Sequence, residues 1–212
     1  MSKTSHENNK ESFEINKDKP VLLLGEGKDE FNFFTGLVKH LGLTASIQIA
    51  QYAGKPNLSA FLSTLSAQTG FPSLRTIGIT CDADDDHSAT LASVNHSIQQ
   101  VNFPEHIKVK TYILPGEDKS GALEALVLEA AESSPAWNCV ERFTKCVAPN
   151  DKPSLSSAQT DKRRMHAWLS TLSKPELRLG EAALKHHIHF GHQVFKPITD
   201  FLTSLVPVTK DQ

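Results

Sequence analysis

Three acidic groupings carry the chemistry of this sequence. Glu26 and Glu30 stand four apart in Gly25-Glu26-Gly27-Lys28-Asp29-Glu30. Asp82 and Asp84 stand two apart in Asp82-Ala83-Asp84-Asp85-Asp86, and Glu124 follows Pro115-Gly116-Glu117-Asp118-Lys119. A spacing of four sets two side chains on one side of a helix's first turn. A spacing of two, on an extended exit from a strand, points both side chains the same way. Carboxylates gathered away from water cost ~several kcal/mol through repulsion and lost hydration. A hard divalent cation removes that cost, and oxygen donors with no His or Cys nearby select Mg2+, Mn2+ or Ca2+ over zinc. Such a cation polarises a phosphate and acidifies a water molecule, which is the chemistry of phosphoryl transfer. The expected catalytic residues are Glu26, Asp82 and Asp84, with Glu26 also able to act as general acid or base. The expected ligands are Glu26, Glu30, Asp82, Asp84 and, further out, Glu124, with Mg2+ or Mn2+ as cofactor. Each grouping has a plainer reading beside this one. Glu26, Glu30 and Glu124 also suit a helix N-terminus, where the dipole favours negative charge. Asp85, Asp86, Glu117 and Asp118 read as solvated loop charges.

The surrounding pattern says how these residues are positioned. Val21-Leu22-Leu23-Leu24 is a short apolar run, the mark of a strand buried on both faces. Phe31, Phe34, Leu37, Val38 and Leu41 then recur at helical spacing from about Asp29, and Gly42 ends the helix. Ile47–Tyr52 reads as a second strand and Arg75–Cys81 as a third. Between them Asn57 reads as an N-cap for a helix presenting Leu58, Phe61, Leu62 and Leu65. A helix over about 88–101, a strand over 109–114 and a helix over about 121–132 complete the alternation. This order predicts an α/β fold, a four-stranded parallel sheet with helices on both faces. Ligands of such sheets bind beyond the carboxyl ends of the strands, where Gly25 to Glu30, Asp82 to Asp86 and Pro115 to Glu124 stand.

The domain reading is a disordered tail over 1–18, an α/β core over 19–133 and a C-terminal helical extension over 134–212 packed on that core. Its helical segments fall near 136–147, 158–173, 180–188 and 196–205, with 149–160 a loose connection. The 212 residues suffice for one sizeable core, and the 39% hydrophobic and 22% charged residues are ordinary for a globular chain. No apolar run reaches a membrane span of about 18 residues, and the polar N-terminus is not a secretory signal. Three widely spaced cysteines point to a reducing compartment, the cytoplasm. The net charge of −2 announces no nucleic acid by itself.

A local patch must therefore supply any contact with phosphates. Lys162-Arg163-Arg164 is the one basic cluster, opposite Met165, Trp168, Leu169 and Leu172 on a helix. It reads as a solvated face or as a phosphate-backbone contact. Lys28 reads as an exposed loop lysine or as a phosphate contact beside the metal. His186, His187, His189 and His192 tempt a zinc reading, but no Cys or acid stands at ligand spacing, so the segment reads as surface or packing.

Gly25 to Glu30 after the first strand and Cys81 to Asp86 after the third resemble a Toprim domain. That is the metal-binding module of topoisomerases, primases, RNase M5 and overcoming-lysogenization-defect (OLD) nucleases. The resemblance matches the family's glutamate to Glu26, its DxD pair to Asp82 and Asp84, and an OLD-type second acid to Glu30. Residues 114–129 and 179–202 also resemble the DUF3226 family of small Toprim-like bacterial proteins. The implied function is a metal-dependent nuclease acting on DNA or RNA. The alternative is a non-catalytic metal-binding subunit working with a partner ATPase or as a homo-oligomer, without a membrane. His87 stands where primases place the glycine of DxDxxG, and no DNA-gating domain accompanies the motifs. A receiver domain would need an acidic pair ending the first strand, a haloacid-dehalogenase phosphatase its DxD there, and a P-loop GxxxxGK[ST]; none is present.

Overall fold

A computed structural model describes residues 13–150 and 153–207. Four short strands, β1 (Val21–Gly25), β2 (Ile47–Gln51), β3 (Thr76–Asp82) and β4 (Lys108–Leu114), form one sheet in the order β2-β1-β3-β4 with every pair parallel. The α/β class and the four-stranded parallel sheet are those the alternation predicts. β1 lies in the middle and is buried at all five positions, which explains its unbroken apolar run.

Eight α-helices stand among the described residues. Four follow the strands: α1 (Lys28–His40), α2 (Leu58–Ser66), α3 (His87–Gln99) and α4 (Leu123–Ala131). The other four, α5 (Trp137–Val147), α6 (Ser157–Leu169), α7 (Leu179–Leu184) and α8 (Lys196–Leu205), fall where the C-terminal pattern places helices. Period-two alternation along β1 sends Val21 and Leu23 into one core and Leu22 and Leu24 into another. The first core holds Phe33, Phe34 and Leu37 of α1 together with side chains of α4, α6, α7 and α8. The second holds Leu58, Leu62 and Leu65 of α2 and Val94 of α3. Helices thus cover both faces of the sheet.

The C-terminal helices penetrate the first core rather than merely lying on it. A Cβ on Gly78 of β3 would stand 2.6 Å from Leu205 Cδ1, so α8 sits directly on the sheet. A Cβ on Gly36 of α1 would lie 2.9 Å from the Ala183 carbonyl oxygen, and one on Gly180 would lie 2.7 Å from the Asp29 carbonyl oxygen. Two glycines therefore let α1 and α7 approach backbone to backbone.

The elements differ from the sequence reading at the N-terminus, at the start of α2 and at the ends of α6 and α7, α6 stopping at Leu169 short of 173. Residues 1–12 of the expected tail lie outside the described residues, but the chain is anchored over 13–16: Ile15 is buried although Asn16, Lys17 and Asp18 are exposed. Gln68 Nε2 donates to the Phe13 carbonyl, and Gln48 Oε1 accepts from the Asn16 N–H at 2.8 Å. Asn57 does not cap α2. It has helical backbone angles at the end of a 3-10 turn, Lys55–Asn57, and its amide donates to the Ala53 carbonyl; an N-cap oxygen reaches the helix from extended backbone. Finally, α7 ends at Leu184, short of 188, with His186 at φ 61 turning the chain. Asp151 and Lys152 of the expected loose connection lie outside the described residues.

Candidate metal centre

Adjacent strands β1 and β3 send their following helices to opposite faces: α1 belongs to the first core and α3 to the second. Such a divergence opens a crevice at the carboxyl edge of a parallel sheet, the usual ligand position of open α/β folds. Glu26 follows β1 directly and Asp82 is the last residue of β3.

Local hydrogen bonds shape both turns. The Gly27 N–H donates to Glu30 Oε2 at 2.9 Å, so Glu30 folds back over the start of α1. The Cys81 thiol lies 3.7 Å from Glu26 Oε2, linking the two strand ends. The Leu123 N–H donates to Asp82 Oδ1 at 3.0 Å, which sets that carboxylate at the N-terminus of α4. Beyond it, Asp84 and Gly121 exchange backbone bonds as an isolated antiparallel bridge, with Asp84 N to Gly121 O at 2.9 Å. The turn after β3 is thereby fastened to the entry of α4, whose first turn carries Glu124.

Four carboxylates act on one another here. Burial pushes the Asp82 carboxyl up to about 8, reinforced by the negative charges of Glu30, Glu124 and Glu26 and opposed by the Leu123 N–H. Glu30 is also raised, again mainly by burial, with Glu26 and Glu124 adding to it against hydrogen bonds from backbone N–H groups. The donor set is all oxygen, and its crowding of acids is relieved either by the proton that Asp82 retains or by a cation. In chemical type it fits a hard divalent cation with Glu26, Glu30, Asp82 and Glu124 as donors. Among the described residues no three His, Cys, Asp or Glu side chains stand as a formed metal-binding cluster. A carboxylate offers two oxygens and about four lone-pair directions, so the bonds to Gly27 and Leu123 leave coordinating capacity on both acids.

Asp84 departs from the sequence reading. A continued strand would point it with Asp82, but its φ of 52 breaks the extension. Its exposed carboxylate pairs with the Lys55 ammonium. Lys55 was absent from the sequence-based site, and the backbone brings it there: the Gly54 N–H donates to the Glu26 carbonyl at 3.1 Å. Burial opposes the Lys55 charge, yet the hydrogen bond to Asp84 and the negative field of Cys81, Asp84 and Glu26 raise its pKa overall.

The remaining expected residues lie elsewhere. Lys28 is exposed, with its ammonium 5.4 Å from the centroid of Phe31. Lys162 on α6 is exposed, whereas Arg163 and Arg164 are half-buried, correcting the expectation of three exposed cations. Arg164 Nε lies 3.2 Å from Glu141 Oε1 of α5, an ion pair without the alignment of a hydrogen bond. The helix turns its Arg164 flank toward α5, where an acid already waits. His192 Nδ1 accepts from the Val194 N–H at 3.3 Å, and His186 and His189 are exposed. His87 is the first residue of α3 behind the N-cap Asp86, so its position needs no left-handed backbone.

No helix among the described residues is long and apolar enough to cross a membrane. Comparisons with curated proteins and with solved structures return no significant match. A family model described as "Protein of unknown function (DUF3226)" matches residues 20–207, most of the chain, and the protein belongs to that family.

Proposed function

We propose that this protein is a divalent-metal-dependent phosphoryl-transfer enzyme, a Toprim-type nuclease that hydrolyses nucleic acid phosphodiesters. One observation supports the reading: the Asp82 carboxyl at the end of β3 is raised by burial and by the negative charges of Glu30, Glu124 and Glu26, which come from the turns after β1 and β4. A bound cation would stabilise the ionised form of this group. The Toprim resemblance of the Glu26 turn and the Asp82 turn supports the same reading.

When bound, Mg2+ or Mn2+ supplies Lewis-acid polarisation of the phosphate and a more acidic water. The chain's own residues divide the remaining work. Asp82 and Glu30, both raised by burial and mutual repulsion, ionise to become donors to the cation. Glu124 balances charge from the first turn of α4. Glu26, at the centre of the edge, takes the proton of the attacking water. The water oxygen joins phosphorus, the ester P–O bond breaks, and the departing oxygen takes a proton from solvent while Glu26 later returns its own to the bulk.

The test is a panel of DNA and RNA substrates with Mg2+, Mn2+ or EDTA, run beside thermal melts. Cleavage with Mg2+ or Mn2+ that EDTA and Glu26→Gln both abolish is the expected result. A melt that rises with the cation while no substrate is cleaved overturns the nuclease and leaves a metal-binding subunit. No melt response at millimolar cation overturns both.

A further inference from the structure

A cavity of about 310 Å3 opens at the end of β3 on the α2–α3 side of the sheet. Lys55 and the acids Asp84, Asp85 and Asp86 line it, together with Ser93 and Ser97 of α3. The volume is that of a small-molecule subsite. Small side chains on α3 leave the space open, and one cation faces it.

The position of that cation is built into the backbone. Tyr52 and Gly54 donate their N–H groups to the carbonyls of Gly25 and Glu26 at 3.1 Å each, so the loop after β2 is stitched to the turn that carries Glu26. Ala53 and Gly54 take φ values of 59 and 101, a reversal that swings Lys55 over the edge. The lysine's side chain is 30% exposed and that of its partner Asp84 is 62% exposed, so the pair opens at little cost. A phosphate oxygen offers the same ammonium a charge-assisted hydrogen bond.

Resting on the phosphoryl-transfer reading, we propose that Lys55 binds the substrate phosphate next to the carboxylate cluster, exchanging Asp84 for it, and that the adjoining cavity takes the nucleoside attached to that phosphate. Lys55, rather than Lys28 or the α6 cluster, is the substrate-contacting cation. The thin α3 wall then discriminates by size among nucleosides.

The experiment uses the full chain with Lys55→Met, Lys55→Arg and Ser93→Trp, the last placing an indole across the cavity mouth from an exposed position on α3. Folding is checked by thermal melts. Binding is read by calorimetry with deoxythymidine 3′,5′-bisphosphate in Ca2+, and cleavage by KM and kcat on a short oligonucleotide in Mg2+. One charge-assisted hydrogen bond corresponds to about 10–100-fold in affinity. Lys55→Met is expected to weaken bisphosphate binding and raise KM by that factor, with Lys55→Arg recovering most of it. Ser93→Trp is expected to weaken bisphosphate binding while leaving inorganic phosphate binding unchanged. Wild-type cleavage with an unchanged KM in Lys55→Met overturns the assignment while the nuclease reading stands. Failure of wild type to cleave sinks the nuclease alone, because bisphosphate binding lost in Lys55→Met still supports the subsite. Wild type that binds no bisphosphate, or Ser93→Trp that binds it normally, overturns the subsite.

Discussion

The carboxyl edge of the sheet and the basic stretch of α6 are both concentrations of charge, and the fold treats them in opposite ways. On α6, Arg164 lies against Glu141 of α5 and within 3.9 Å of Asp161, so its charge is matched inside the molecule. At the sheet edge, the negative charges of Glu30, Glu124 and Glu26 act on Asp82, and the nearby cation Lys55 is paired with a fifth acid, Asp84. Charge that is matched internally is structure; charge that a fold concentrates without matching it waits for something from solution. The α6 cluster is the more conspicuous in sequence, three cations in a row, yet it is the acidic edge that holds carboxyls raised by burial and neighbouring negative charge.

The sharpest way to break this contrast is to remove one acid. Glu26→Gln and Asp82→Asn are expected to lower divalent-dependent cleavage by about a hundredfold or more, several kcal/mol of transition-state stabilisation. Both should also lose the rise in melting temperature that Mg2+ gives wild type. Retained cleavage in both variants would mean that the edge is not the reaction centre.

The next effect is a pH dependence whose sign is fixed by the raised acids. In the fold Asp82 holds its proton up to about 8, whereas in the unfolded chain it releases it near 3.9. Its contribution to stability is therefore full below about pH 4 and is lost as pH rises toward 8. Glu30, raised as well, acts in the same direction. In EDTA, urea denaturation should show the protein on the order of a few kcal/mol less stable at pH 8.5 than at pH 5 from these groups, and Asp82→Asn should flatten the slope. With saturating Mg2+ the trend should reverse, because ligation needs ionised carboxylates. A metal-free stability that climbs from pH 5 to 8.5 would contradict the edge's unmatched charge.

Breaking the matched region should cost less and cost only stability. Arg164→Met leaves Glu141 without its nearest cation at a half-buried contact, an expected loss of about 1 kcal/mol measured by urea melts. Cleavage should be unchanged. A fall in kcat with normal stability would move α6 into the site. Smallest of all is Lys162→Met. Its exposed position predicts a stability change within about 0.5 kcal/mol, and any nucleic acid binding should keep its salt dependence. A salt slope reduced by about one would restore the phosphate-contact reading.

Much of this site was legible because β1 and β3 announce themselves. An apolar run stopped by Gly25-Glu26, and another stopped by Asp82, locate both acids at one edge with no further information. Glu30 and Glu124 follow from helix starts. Lys55 was hidden because nothing in Gly54-Lys55-Pro56 distinguishes a functional lysine from a loop lysine. Its place depends on the Gly54 N–H reaching the Glu26 carbonyl, a contact between segments 28 residues apart. Asp84 was misdirected for a local reason, since period two holds only while the backbone stays extended and φ changes sign at that residue. Phe13 and Ile15 were lost in a polar tail because two apolar residues set no period, and glutamines 48 and 68 hold their backbone down.

The close approach of α1 and α7 bears on when the protein becomes competent during its synthesis. The Gly180 N–H donates to Asp29 Oδ1 across 151 residues of chain, and Asp29 sits between Glu26 and Glu30. At about 5–20 residues per second, about 8–30 s pass between the two partners leaving the ribosome. Until then the first turn of α1 lacks its brace, and Phe33 and Phe34 lack much of the core that buries them. A nascent chain carries both acid motifs long before it can hold them in register. The braced form of this edge exists only once most of the last third of the chain has been made.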